Sequence, residues 1–242
     1  MIFPIGDDNV KGGHYPYFSY AFIAFNVIAF LYELSLNATP GALNQFIFDY
    51  GALPIEIQNG EDLHTLFTSM FLHGGWMHLI GNMLFLWVFA DNIEATIGSS
   101  RFILFYFLGG LAAHACHIYF NMYSEVPTVG ASGAISAVMG AYLVMFPSSR
   151  VKVLLLFFTF RVPALIFLGI WIWQQWMAGS AALEVATAEN SGVAYWAHIG
   201  GFVFGVIAGF YYRTKFNMPA LDGKRRSPDR PAPTYPRNDE FV

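Results

Sequence analysis

Apolar stretches long enough to cross a bilayer recur along this chain, and they constrain its fold more than any other feature. A hydrocarbon core of about 30 Å takes roughly 17–25 residues of helix. Six spans can be read, at about 17–36, 76–97, 102–122, 132–146, 162–177 and 193–212. Only 12% of the 242 residues are charged, against about 25% in an ordinary soluble domain. The length therefore goes to several spans and not to one soluble core. The single cysteine, Cys116, lies inside an apolar stretch, which excludes a disulfide within the monomer and reads as packing.

The connections alternate in charge. Segment 37–75 contains Asp49, Glu56, Glu61 and Asp62, segment 123–131 contains Glu125, and segment 178–192 contains Glu184 and Glu189, none of them with a Lys or Arg. All 12 basic residues lie elsewhere: Lys11, Arg101, Arg150, Lys152, Arg161, and seven from Arg213 to Arg237. With six spans these all fall on one side, which the positive-inside rule makes cytoplasmic, so both termini are expected there. A basic patch for nucleic acid is absent from the bulk of the chain, and the basic tail reads as a topology signal. The first 16 residues carry no long apolar core behind a basic start, so no secretory signal is read there.

Three segments between or beyond the spans have their own character. Segment 37–75 is long for a bare loop and holds Phe46, Phe48, Leu66, Phe67 and Phe71, so short amphipathic helices lying at the outer interface are expected. Segment 151–160 is apolar but ends at Arg161 and Pro163; it reads as a buried cytoplasmic loop, with a seventh half-span as the alternative. Residues 217–242 carry Pro and charge and read as a disordered cytoplasmic tail. The expected organisation is an all-α membrane domain over 1–216, a six-helix bundle with a long first outer loop, followed by that tail.

Polar groups inside a bilayer cost several kcal/mol unless paired, so each is a functional candidate. The first cluster is His73-Gly74-Gly75-Trp76-Met77-His78-Leu79-Ile80-Gly81-Asn82, in which His78 and Asn82 are four apart and share one helix face. The second is Gly130-Ala131-Ser132-Gly133, opening the fourth span. That span is short, about 22 Å at 1.5 Å per residue, so Ser132 starts several Å below the outer surface if the helix reaches the inner one. The third is Ala197-His198-Ile199-Gly200-Gly201, continuing to Gly205 and Gly209. Glycines 201, 205 and 209 leave bare backbone on one face, where a neighbouring helix can approach closely. Taken singly, each cluster has a structural reading: His78 and Asn82 bridging helices, Ser132 an N-cap, His198 a bridging residue. Spans two, four and six all run from outside to inside, however, and each carries its cluster at its outer start. Four polar residues at one depth and on one side are better explained by one site than by three accidents.

A Ser hydroxyl needs a base within hydrogen-bond reach, and His198 can take its proton and return it to a leaving amine. His78 and Asn82 are donors that could face a developing oxyanion, and the N–H of a residue opening a helix is another. No Asp or Glu lies in the outer halves of these spans, and Asp91 and Glu94 sit toward the inner end of span two. The set reads as a Ser–His dyad rather than a triad.

These three motifs, in this order on spans two, four and six, resemble the signatures of the rhomboid intramembrane serine proteases, over about residues 17–213. The resemblance implies Ser132 as nucleophile, His198 as base, and His78, Asn82 and the Ser132 N–H as oxyanion hole, with Gly130, Gly133, Gly201 and Gly205 packing helices at the site. It implies single-span membrane proteins as substrates, cut near the outer membrane face, with no metal or cofactor. Span five and the outer loops become the candidate substrate gate, and a bacterial inner membrane the expected location.

The chain departs from the family pattern in three places. Where many relatives carry Trp-Arg in the first outer loop, this chain has His64-Thr65. The family's Phe-Gly…Glu reads Phe89-Ala90…Glu94. Ser136 stands where some relatives pack a Tyr on the His, so another group must support His198. Two rival readings stand beside the protease. One is a silent rhomboid-like protein that binds membrane proteins. The other is a metal transporter or metalloenzyme built on His73, His78, His114 and His117, whose spacing matches no recognised zinc pattern. Nothing in the sequence speaks to oligomeric state.

Overall fold

The computed structural model describes residues 2–8, 13–184, 193–216 and 218. The expected tail, 217–242, lies outside the described residues apart from Met218, as do parts of segment 178–192.

Among the described residues six long helices dominate. They are α1 (Tyr17–Leu36), then, after three short helices, α5 (Trp76–Ile97), α6 (Ser99–Phe120), α7 (Ser132–Met145), α8 (Ala164–Glu184) and α9 (Tyr195–Lys215). Among the described residues, Tyr17–Leu36 and Ser99–Phe120 are each long and apolar enough to cross a membrane, and Ser132–Met145 is apolar but shorter. Five of the helices expose large apolar side chains on their outer faces: Phe25 and Ile28 on α1, Trp87 on α5, Leu104 on α6, Ile166 and Trp173 on α8, and Ile207 and Phe210 on α9. α7 is buried nearly all round, which marks it as the central helix. The expected boundaries hold to within a turn except in span five, whose helix starts just after Pro163 and runs on to Glu184.

Segment 37–75 folds into α2 (Ala42–Tyr50), α3 (Pro54–Gln58), α4 (Thr65–Thr68) and a 3₁₀ turn, Ser69–Phe71. It is tied to the loop before α7 by a bridge in which Ala52 N donates to Thr128 O and Thr128 N to Ala52 O, at 3.0 and 2.8 Å. At the departure from the family pattern, Thr65 is buried and its hydroxyl donates to the Asp62 carbonyl at 2.7 Å, while His64 stands edge-on to Tyr50.

The all-α expectation needs correction. Segment 151–160 is neither a buried loop nor a half-span. Arg150–Leu155 (β2) and Phe158–Pro163 (β3) form a hairpin, and the N-terminal Ile2–Gly6 (β1) pairs with β2 to complete a three-stranded antiparallel sheet in the order β1-β2-β3. Val151 and Val153 are fully buried in the same core as Phe89, Tyr142 and Leu168, whereas most of the hairpin is exposed. The strand signal was present in the Arg150-Val151-Lys152-Val153 alternation, but the apolar run after it hides the period, and the pairing partner lies some 150 residues away in sequence.

Small residues set how closely the helices approach α7. A Cβ placed on Gly201 would run into the Gly133 carbonyl oxygen, and one on Gly205 into the backbone of Ala137. Here α7 and α9 touch backbone to backbone, as in small-residue crossings in membranes. On the other side a Cβ on Gly109 of α6 would meet the Ala137 Cβ.

Glu94, fully buried on α5, joins three helix ends. Its carboxylate accepts from the Phe18 and Ser19 N–H groups at 3.0 and 2.7 Å and from the Ser19 and Ser99 hydroxyls at 2.7 and 2.6 Å. Phe18 and Ser19 lie in the first turn of α1, where N–H groups lack intrahelical acceptors and the helix dipole favours an anion. Gly98, at φ +82°, then turns α5 directly into α6. Glu94→Ala strands four donors, two of them buried. A loss of about 3–5 kcal/mol is expected, read as a drop in the thermal midpoint of the detergent-solubilised protein, with Glu94→Gln intermediate.

Candidate active site

The fold gathers the residues singled out in sequence at one end of the bundle. Ser132 is the first residue of α7, so its N–H has no acceptor within the helix. His198 lies in the first turn of α9. The Ser132 hydroxyl and His198 Nε2 are 2.8 Å apart, a hydrogen bond across 66 residues of sequence. Both side chains are half-buried, so the pair can be reached from outside the protein.

On the far side of the imidazole, His198 Nδ1 lies 2.8 Å from Gln175 Oε1 on α8. An amide oxygen only accepts, so it holds the proton on Nδ1 and leaves Nε2 as the acceptor facing Ser132. The Trp171 ring, one turn earlier on α8, flanks the imidazole at 5.8 Å between centroids. Gln175 is the support that Ser136 cannot give: the Ser136 hydroxyl turns back to donate to the Ser132 carbonyl at 2.6 Å. Gln175 carries no charge and lies on span five, outside the three spans that bear the motifs, so the motifs do not point to it. The signal was there as two adjacent amides, Gln174 and Gln175, in an apolar helix.

His78 and Asn82 approach from α5. The His78 imidazole lies over the bare Cα of Gly130, where a Cβ would come within 2.7 Å of its Cε1 and Nε2 and 3.6 Å of Asn82 Nδ2. Gly130 also has φ +125°, so both space and backbone conformation require glycine there. Its N–H donates to Ser69 O at 2.9 Å, which holds the strand of loop leading into Ser132. Gly133 faces Ala113 of α6. Gly201 and Gly205 pack α9 on α7 as described above, Gly201 within the turn that follows His198.

A chain of contacts runs behind Asn82. Asn82 Nδ2 is 3.0 Å from His73 Nε2, and the His73 N–H is shared between both oxygens of Glu33 on α1, at 3.2 Å each. Burial first, and the neighbouring His78 second, bring His73 down to about 4. It is therefore neutral at physiological pH and can accept from Asn82, which leaves Asn82 a second amide hydrogen to donate. His73 belongs to the motif, but its service to Asn82 was not foreseen.

His114 and His117 act elsewhere. His114 Nε2 is 3.1 Å from the Ser69 hydroxyl and His117 Nε2 is 3.0 Å from Thr128 Oγ1, so both fasten loop segments to α6. Among the described residues, no three His, Cys, Asp or Glu side chains are grouped as metal ligands would be. Beside Ser132 lies a small, open cleft lined by Met70, His114, Thr128, Val129 and the small residues Gly133 and Ala197.

Comparison with known proteins gives this geometry its context. A rhomboid domain model matches residues 60–215. The rhomboid protease GluP of Bacillus subtilis is 30% identical over 213 residues, covering 87% of this chain and 37% of that protein. Rhomboid protein 1, mitochondrial, of Saccharomyces cerevisiae is 29% identical over 151 residues, 61% of this chain and 41% of the relative. RHOMBOID-like protein 12, mitochondrial, of Arabidopsis thaliana is 28% identical over 180 residues, with 68% and 51% covered. The chain thus spans between about two fifths and a half of the length of these relatives. With the family model covering well over half of its residues, the chain belongs to the rhomboid family of membrane proteins.

Proposed function

We propose that this protein is an intramembrane serine endopeptidase that cuts single-span membrane proteins near the outer membrane face. The observation that carries the reading is the 2.8 Å contact between Ser132 Oγ and His198 Nε2, with Gln175 Oε1 behind the ring at 2.8 Å. In this reading α1 and α5 to α9 are six spans of a bacterial inner membrane. The basic connections and both termini are cytoplasmic, and the site opens to the opposite side.

Ser132 Oγ attacks the scissile carbonyl carbon as its proton passes to His198 Nε2. The oxyanion that forms is held by the Ser132 N–H, His78 and Asn82, donors whose positions are set by the helix start, Gly130 and His73. Collapse expels the amine, which takes the proton from His198 and leaves an ester on Ser132. Water enters from the outer side, gives its proton to His198 and attacks the ester. The acid product leaves, and the proton returns to Ser132. No step calls on a metal or cofactor. The cleft beside Ser132 is small and lined by Gly133 and Ala197, which favours a small side chain next to the cut. GluP, named a rhomboid protease, supports the same class of reaction.

Cleavage of a model single-span substrate by the purified protein in detergent, with chelator present, tests this reading. Absence of both cleavage and labelling of Ser132 by a serine-reactive probe would leave the silent, substrate-binding relative as the correct description.

Gln175 provides a finer test. Gln175→Ala removes the acceptor that fixes the imidazole, and kcat is expected to fall about 10- to 100-fold, the rate equivalent of one lost buried hydrogen bond. KM is expected to change little, because Gln175 acts through His198. Gln175→Glu keeps an acceptor facing Nδ1 and is expected to recover most of the rate. Equal losses in the two variants would mean that the side chain serves only packing.

A further inference from the structure

The hairpin of β2 and β3 carries an exposed apolar tip that the active site does not use. Leu156, Phe157 and Phe158 are 73%, 93% and 74% exposed, and Leu155 and Phe160 are 37% and 43% exposed. A cluster of this kind on a folded protein marks an interaction surface.

The register shows which way the cluster faces. Side chains alternate across a strand, so one face carries the cross-strand pairs Val151 with Val162, Val153 with Phe160, and Leu155 with Phe158. Exposure rises along that face toward the tip. Val151 and Val153 are fully buried against the helices, Phe160 is 43% exposed and Phe158 is 74% exposed. The apolar face that packs on the end of the bundle therefore continues past its rim. Beyond the rim of a membrane protein lies the lipid of the same leaflet. The next residues after β3 belong to α8, with only Pro163 at the joint, so the hairpin base stands where a span enters the bilayer.

The opposite face adds charge. Lys152 and Arg161 are direct cross-strand partners, and both are exposed. Like charges placed opposite each other repel. Arg161 is relieved by an exposed bridge to Asp8 at 3.1 Å, which solvent screens. An apolar face with two paired cations on its back is the pattern of an element that lies in a membrane interface and meets anionic headgroups.

We propose that this hairpin is an interfacial anchor: Leu155, Leu156, Phe157, Phe158 and Phe160 rest in the acyl boundary of the leaflet on the basic side, and Lys152 and Arg161 engage its anionic headgroups. The inference rests on the six-span reading and is independent of proteolysis. It makes the hairpin a brace for the inner end of α8, the helix that carries Gln175.

The test uses the full chain with Cys116→Ser and a nitroxide label at Phe157→Cys, reconstituted in phosphatidylcholine vesicles containing phosphatidylglycerol. The label is expected to collide with oxygen and to be shielded from a water-soluble nickel chelate, unlike a label at the exposed Ser148. Adding Lys152→Glu and Arg161→Glu should raise the nickel collision rate by on the order of tenfold, as should omitting phosphatidylglycerol. The same labels at Leu156→Cys keep the result from resting on one substitution. Nickel collisions equal to those at Ser148 overturn the proposal. Spin–spin broadening between labels also overturns it, since the cover would then be a second copy of the chain. Both outcomes can be read whether or not the protein cleaves a substrate.

Discussion

Ser132→Ala and His198→Ala are each expected to reduce cleavage of a single-span substrate by on the order of 10³-fold or more, while the protein stays folded. The two residues form one device, so the double variant should be no worse than either single one. In the proposed mechanism Ser132→Ala removes the atom that attacks. His198→Ala leaves the hydroxyl with its proton and without an acceptor at 2.8 Å, and an unassisted hydroxyl is a weak nucleophile. Neither change disturbs the close packing of α7 on α9, because Gly133, Gly201 and Gly205 make those contacts. The thermal midpoint should therefore move little, which separates loss of chemistry from loss of fold. On the proposed mechanism any residual rate comes from the oxyanion donors and from substrate positioning, so removing His78 or Asn82 in the Ser132→Ala background should lower it further. Cleavage at near wild-type rate by both single variants would place the chemistry elsewhere.

What could be read from the sequence depended on whether a residue's cost was visible locally. Ser132, His198, His78 and Asn82 are polar groups in apolar helices, and a charge-partitioned topology alone brings their helix starts to one side. Gln175 is polar in the same setting, but only the distance from α8 to α9 reveals that it faces His198 Nδ1 and not solvent or lipid. Glu33 is harder still. Its carboxylate binds the backbone of His73, 40 positions away, and no spacing rule connects a helix to the N–H of a distant loop. Glu94 could be recognised as part of a family motif, yet its work, receiving donors from the starts of α1 and α6, depends on how three helix ends converge. The sheet escaped for a different reason. An apolar run containing Leu154, Leu155, Leu156, Phe157 and Phe158 has no readable period, and in a membrane protein such a run suggests lipid before it suggests a strand.

Gly205→Leu is expected to disrupt the fold more than any change at the dyad. Its Cβ would overlap the Ala137 carbonyl and come close to Ala137 Cα. These are backbone atoms of the central helix, which is packed on its other side by Gly109 of α6, so α7 has no room to retreat. A flexible side chain could swing away; a helix backbone wedged between two neighbours cannot. The cost of overpacking is about 1–3 kcal/mol where side chains can adjust, and a value above that range is expected here. If α9 tilts to relieve the clash, His198 moves with it. A displacement of about 1 Å between reacting groups can itself cost on the order of 10²-fold in rate. The variant should therefore lose thermal stability and activity together, whereas Ser132→Ala loses activity alone. Gly81→Ala on α5 is the matched control, since a Cβ there meets nothing within 4 Å and alanine favours a helix over glycine by about 1 kcal/mol. It should be neutral or slightly stabilising even though it adjoins Asn82. Thermal unfolding and substrate cleavage measured on both variants give the check. A Gly205→Leu protein with wild-type stability would mean that α7 and α9 are not held at the backbone contact on which the alignment of Ser132 with His198 depends.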